Sequence, residues 1–208
     1  MDGLVSNFAL IIGVAAASSG HSQIVLAGVA GLASGAFSMA AGEYVSVRSQ
    51  NESVAAELDT ELHELKNNPE AEALELAQMY EARGVDHDLA VEVANQLSRN
   101  PEHALIVHAQ EELGVTPGAL PSPWLAAGLS LVAFALGALI PLVPYALGAN
   151  SIPLCTVVAL VALFGAGVAS SIFTNRTWLY AGTRQLLLGG LAAAVTFGVG
   201  SLFGATVG

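Results

Sequence analysis

The sequence predicts an all-α membrane protein with five transmembrane helices and a cytoplasmic helical insert between the second and the third. Hydrophobic residues make up 54% of the 208 residues and charged residues only 11%, too few charges to solvate a globule of this size. Residues 48–112 hold fifteen of the seventeen acidic and four of the six basic side chains. An acidic soluble domain therefore interrupts apolar blocks that cannot remain in water.

The predicted organisation has three parts: residues 1–47 with two spans, residues 48–116 as the acidic domain, and residues 117–208 with three spans. Each block approaches the ~20 residues that cross a bilayer. The five predicted spans are residues 2–18, 23–47, 123–142, 151–174 and 178–203. A cleaved signal peptide is not favoured for the first block, because no Lys or Arg precedes it and Asp2 stands at its head.

The basic residues predict the orientation. If the acidic domain is cytoplasmic, all six Lys and Arg residues fall on that side, Arg176 and Arg184 included. The opposite links, residues 19–22 and 145–150, contain none. This asymmetry follows the positive-inside rule.

Helix-breaking residues divide the acidic domain. They are two Asn-Pro pairs and two glycines: Asn68-Pro69, Asn100-Pro101, Gly84 and Gly114. An Asn before Pro caps a helix start, and Gly ends a helix. The predicted helices are residues 46–66, 69–83, 87–99 and 101–113. Nothing breaks the chain before residue 46, so the second span is expected to continue into the first of them.

Carboxylates lie beside the apolar stripes of these helices, where they could meet at a helix junction. Hard divalent cations prefer several oxygen ligands, and ferrous iron also accepts imidazole. The candidate positions at helical spacing are Glu57, Glu61, Glu64, Glu72, Glu75, His108 and Glu112. The alternative is a solvated acidic face, and the same holds for the surface histidines His63, His87 and His103.

Polar groups also lie in or near the spans. Asp2 and Glu43 are the acidic ones, accompanied by Asn7 and Met39. An intramembrane carboxylate is costly and suggests an ion path or proton relay, and a thioether suits a softer cation than magnesium. The alternatives are a chain terminus for Asp2, an interfacial residue for Glu43 and ordinary packing for Met39.

Several functions are not favoured. The chain has no nucleophile–base constellation, phosphate loop or Cys/His zinc spacing, so we expect no enzyme and no prosthetic group. Net negative charge argues against nucleic acid as a partner. Cys155 is the single cysteine, which excludes an intrachain disulfide.

Two membrane motifs resemble the vacuolar iron transporter family: DGLVSNF at residues 2–8 and GAFSMAAGEYVSV at residues 35–47. The acidic domain is also similar, with Asn68-Pro69-Glu70 at one helix start and Glu111-Glu112-Leu113 at the end. The resemblance covers essentially the whole chain.

This resemblance implies a homodimer that exports ferrous iron, and possibly manganese, from the cytosol in exchange for protons. A bacterial member would lie in the cytoplasmic membrane. By position, the implied metal ligands are Glu61, Glu64, Glu72, Glu75 and Glu112, and the implied transport-pathway residues are Asp2 and Met39.

Two positions depart from the family pattern. Gly31 stands where some members have a Glu in the second span, which makes Glu43 a candidate substitute. His108 and Ala109 stand where some members have a Met pair, which leaves His108 as a candidate nitrogen ligand. The alternative function is a membrane-tethered metal buffer or sensor, which would need no charge in the membrane.

Overall fold

The computed structural model describes residues 1–17 and 20–207, with side chains through residue 203. That part of the chain contains eight α-helices and no strand, in agreement with the predicted all-α class. The helices are α1 (Asp2–Ala16), α2 (His21–Asn67), α3 (Pro69–Ala82), α4 (His87–Leu97), α5 (Pro101–Glu112), α6 (Pro123–Ala146), α7 (Ile152–Ser171) and α8 (Trp178–Val207).

Four helices, α2, α6, α7 and α8, are long and apolar enough to cross a membrane. The remaining predicted span, residues 2–18, corresponds to α1, which has 15 residues and is shorter than the ~20 residues that a span requires. That span remains a prediction, and its last residue, Ser18, lies outside the described residues.

The predicted continuity of the second span is confirmed. The 47 residues of α2 form one unbroken helix, which at 1.5 Å per residue is about 70 Å long. A hydrocarbon core is only about 30 Å thick. More than half of α2 must therefore lie outside it.

The chain forms two compact units, Met1–Glu43 with Ala126–Gly208, and Tyr44–Leu125. We call them the membrane unit and the acidic unit. In the membrane unit α1 packs against α7 and α8, and α7 packs against α8. The core is formed by apolar side chains from several helices, among them Leu4, Phe8, Ile11, Ile12, Leu142, Tyr145, Cys155, Ala159 and Leu163.

The predicted ends of α6 and α7 were wrong by four and by three residues. α6 continues to Ala146, past residue 142, although Pro141 and Pro144 lie inside it. Proline is tolerated in membrane helices because neighbouring groups satisfy the backbone atoms it frees. α7 ends at Ser171 rather than at residue 174, where the hydroxyls of Ser170 and Ser171 donate to backbone carbonyls of the preceding turn at 2.7 Å and compete with helical bonding.

In the acidic unit the helix boundaries follow the predicted break residues. The Asn100 side chain accepts the backbone N–H of Glu102 at 2.8 Å, as an N-cap does. Asn68 is also an N-cap residue, but its side chain makes no capping hydrogen bond. Gly84 and Gly114 have φ of +93° and +65°, the left-handed conformation that ends helices. The core between α3 and α4 contains Leu76, Ala77, Ala90 and Ala94.

We predict that Gly167→Ala destabilises the membrane unit, because a Cβ at Gly167 would lie 2.5 Å from the carbonyl oxygen of Ala181 on α8. The expected loss is about 1–3 kcal/mol, measured by thermal unfolding in detergent. Gly165→Ala, on the same helix, is the control, because its Cβ would meet nothing within 4 Å. Equal stability of the two variants would contradict the close packing of α7 against α8.

Candidate metal centre

Three helices of the acidic unit bring carboxylates and one imidazole to a common point. The Nδ1 atom of His108, on α5, lies 2.9 Å from Glu61 Oε1 on α2 and 2.9 Å from Glu112 Oε1 on α5. It lies 3.8 Å from Glu72 Oε2 on α3. The cap at Asn100 fixes the start of α5, and the Asn68-Pro69 break separates α3 from α2.

The carboxylates form two overlapping groups around this point. Glu61, His108 and Glu112 offer ligand atoms within 4.8 Å of one another, as do Glu61, Glu64 and Glu72. Glu61 belongs to both groups. Together these five residues are called the acidic cluster.

Two buried polar atoms in the acidic cluster lack a hydrogen-bond partner among the described residues. His108 is 0% exposed, and its Nδ1 makes a hydrogen bond with Glu112. Glu61 Oε1 and His108 Nε2 are left without one. An unpaired buried oxygen costs free energy, and a divalent cation between the carboxylates would coordinate such an oxygen directly.

Burial and mutual repulsion change the acidity of the cluster. Burial, with the Glu112 charge second, raises the pKa of Glu61 from 4.5 to about 7. Burial and the Glu75 charge also raise the pKa of Glu72. Protons and metal ions would therefore compete for these oxygens near neutral pH.

Glu75 and the surface histidines stand apart from the cluster. Glu75 is exposed and belongs to neither group of ligand atoms, although its charge acts on Glu72. Glu57 is exposed on α2, and His63, His87 and His103 are exposed as well.

A polar groove of about 340 Å³ lies in the membrane unit. Its lining comes from α1, α2 and α6: Asp2, Ser6, Asn7, Leu10, Gly31, Ser34, Gly35, Ser38, Met39 and Phe134. Asp2 and Met39 therefore share one groove. Glu43, one turn after Met39 on α2, is not among the lining residues, so its role as a substitute carboxylate has no support from this groove.

The groove also contains an oxygen, Asn7 Oδ1, that was not among the predicted site atoms. Asn7 is 2% exposed, and its Nδ2 donates to the carbonyl oxygen of Ala138 at 2.7 Å. This bond fixes the amide, and Oδ1 is buried without a hydrogen-bond partner among the described residues. A Cβ at Gly31 would lie 2.7 Å from that Oδ1. The only sequence signal was an Asn inside an apolar helix.

Comparison with known proteins assigns the chain to a family. The sequence matches the model of the VIT family over residues 1–201. This chain belongs to the VIT family. It is 41% identical over 195 residues to a vacuolar iron transporter of Acanthamoeba castellanii, covering 90% of this chain and 72% of that protein. It is 32% identical over 199 residues to vacuolar iron transporter 1 of Arabidopsis thaliana, covering 94% and 80%.

Membership in the VIT family confirms the resemblance found in the motifs. Proteins of this family are transporters, so the expectation that the chain is not an enzyme is confirmed. Together with the four apolar helices, membership identifies an integral membrane protein.

We predict a pH dependence of stability caused by Glu61. A carboxyl whose pKa is raised on folding contributes stability that is complete below its unfolded pKa of 4.5 and is lost as the pH rises through about 7. Glu61→Gln should remove this loss. The metal-free variant should be more stable than wild type at pH 8, by on the order of 1 kcal/mol after allowance for solvent screening.

The measurement is chemical unfolding with chelator present, from pH 4 to pH 8. Glu57→Gln removes an exposed carboxylate from the same helix and should follow the wild-type profile. If the Glu61→Gln profile also matched wild type, the acidic cluster would not be the source of the pH dependence.

Proposed function

We propose that this protein exports divalent transition metal, ferrous iron and possibly manganese, from the cytosol in exchange for protons. The observation that carries the proposal is the acidic cluster, where an imidazole and four carboxylates offer ligand atoms at one helix junction. Iron and manganese accept both oxygen and imidazole nitrogen ligands. The relatives named vacuolar iron transporters support the same substrate class.

The acidic cluster would collect the metal. Glu61, Glu64, Glu72 and Glu112 would supply oxygen ligands, with His108 as the nitrogen ligand and Glu75 adding negative charge beside them. With the pKa of Glu61 at about 7, metal binding near neutral pH would release a proton. In the proposed orientation this domain, residues 48–116, faces the cytoplasm.

The polar groove would form the start of the transport pathway. Asp2 and the Asn7 carbonyl would offer hard oxygen ligands, and the Met39 thioether a softer one that disfavours magnesium. Asp2 would bind either a proton or the metal ion, which is what antiport requires of one site. Asn7 Oδ1 takes over part of the role that Glu has at position 31 in some family members, and Glu43 is the second candidate.

A homodimer is part of this proposal. Asp2, Ser6, Ser34 and Ser38 are exposed polar side chains along a groove of the membrane unit. Polar groups that face hydrocarbon are costly, and a second copy of the chain would cover them. In a bacterial cell the dimer would lie in the cytoplasmic membrane.

We predict that the double variant Glu61→Gln/Glu72→Gln binds Mn²⁺ at least about tenfold more weakly, because two of the converging oxygen ligands lose their charge. Calorimetry on the full chain in detergent at pH 7.5 measures the affinity. The control is Glu57→Gln/Glu70→Gln, which removes two exposed carboxylates from the same two helices. Equal loss in both double variants would favour a solvated acidic surface over a built site.

We predict that transport requires the open groove. In proteoliposomes containing a pH-sensitive dye, Asp2→Asn should abolish metal-coupled proton movement. Gly31→Ala should slow metal uptake on the order of tenfold, because its Cβ would lie against Asn7 Oδ1 and displace it. Gly42→Ala is the matched control on the same helix, where a Cβ meets nothing within 4 Å.

Both groove variants should retain wild-type Mn²⁺ affinity at the acidic cluster. Wild-type flux in Asp2→Asn and Gly31→Ala would exclude this groove from the pathway. A wild-type protein that binds metal but moves none would instead identify a membrane-tethered buffer or sensor.

A further inference from the structure

A basic pocket of about 530 Å³ lies at the link between α7 and α8. It shares no lining residue with the polar groove. Its lining residues are Thr174, Asn175, Arg176, Tyr180, Ala181 and Arg184. Arg176 and Arg184 are the two basic residues of the membrane unit. Neither arginine has a part in the proposed metal transport.

The two arginines converge on one aromatic ring. The guanidinium carbons of Arg176 and Arg184 each lie 5.8 Å from the centroid of the Tyr180 ring. Both distances are within the range of cation–π attraction. Tyr180 therefore lies beside two positive charges that line the same pocket, and two positive charges favour an anion there.

Neither arginine has a carboxylate partner among the described residues. Arg48 and Arg83 of the acidic unit differ in this respect, because Arg48 pairs with Glu52 at 2.6 Å and Arg83 pairs with Glu111. The pocket thus presents two planar guanidinium groups whose N–H donors match the oxygens of a phosphate.

The surroundings of the pocket favour the phosphate of a lipid over free phosphate. Phe173 and Ile172, immediately before it in sequence, are 90% and 79% exposed, and Trp178 and Leu179 are exposed beside Tyr180. Exposed apolar side chains on a membrane unit face lipid, and Trp is enriched at the membrane–water interface. An anion with attached acyl chains would contact both the arginines and these apolar groups, whereas free phosphate would contact only the arginines.

We propose that the pocket formed by Arg176, Tyr180 and Arg184 binds the phosphodiester of an anionic phospholipid. Basic pockets between transmembrane helices are suited to anionic headgroups. Tyr180 holds the arginines for the phosphate, and Phe173 and Trp178 contact the acyl region. The lipid would link the start of α8 to one leaflet independently of metal binding.

The test is native mass spectrometry of the full chain titrated with phosphatidylglycerol or phosphatidylcholine. Wild type should bind phosphatidylglycerol about tenfold to thirtyfold more tightly than Arg176→Gln/Arg184→Gln, since each arginine near an anionic headgroup adds to the binding free energy. Phosphatidylcholine binding should not change. Arg48→Gln, which removes a paired arginine, should match wild type.

A second double variant separates recognition from simple positive charge. Arg176→Lys/Arg184→Lys keeps both charges and hence the orientation signal, but loses the bidentate guanidinium geometry, so its phosphatidylglycerol affinity should fall between the other two. Unchanged phosphatidylglycerol affinity in Arg176→Gln/Arg184→Gln would overturn the proposal. Displacement of bound phosphatidylglycerol by an equal concentration of inorganic phosphate would also overturn it, by assigning the pocket to free anions.

Discussion

The His108 imidazole, on α5, connects this helix to α2. Its Nδ1 atom lies 2.9 Å from Glu61 on α2 and 2.9 Å from Glu112 on its own helix. One N–H donates well to a single acceptor, and the hydrogen bond goes to Glu112. Glu61 Oε1 is buried beside the ring and has no hydrogen-bond partner among the described residues. Burial and the neighbouring Glu112 charge raise the pKa of Glu61, and the affinity that we expect for a cation results from the convergence of these carboxylate oxygens.

The membrane unit also contains a buried oxygen that lacks a hydrogen-bond partner among the described residues. Asn7 satisfies its Nδ2 on the Ala138 carbonyl at 2.7 Å, which fixes Oδ1 in position. A Cβ at Gly31 would lie 2.5 Å from Leu10 Cδ2 and 2.7 Å from Oδ1, so the glycine leaves this oxygen undisturbed. In each unit, a hydrogen bond that immobilises one atom of a side chain leaves another buried atom without a partner, and a cation is the kind of ligand that such an oxygen favours.

Charge is distributed differently in the two units. The acidic unit pairs Arg48 with Glu52 and Arg83 with Glu111, and it retains a large excess of negative charge. The membrane unit has few charges, and its two arginines share the Tyr180 ring rather than pairing with acids in the described part of the chain. The first pattern suits a metal ion and the second suits an anion at the membrane surface.

The sequence alone determined the helical class, the apolar spans α2, α6, α7 and α8, and the helix breaks of the acidic unit. These features follow from local chemistry: hydrophobic length, Asn-Pro caps such as Asn100-Pro101, and glycines with positive φ such as Gly84. The helix ends near Pro141 and Ser171 were harder to predict from the sequence, because they depend on side chain–backbone hydrogen bonds and packing that composition does not specify.

The tertiary structure decided which of the candidate site residues meet. Helical spacing made Glu61, Glu75 and His108 equally good candidates, but the fold brings His108 of α5 to Glu61 of α2 and leaves Glu75 exposed. Likewise, the sequence grouped Glu43 with Asp2, Asn7 and Met39, and the groove contains the other three without Glu43. Convergence of side chains from separate helices depends on helix rotation and packing over long sequence distances, and periodicity along one helix carries no information about either.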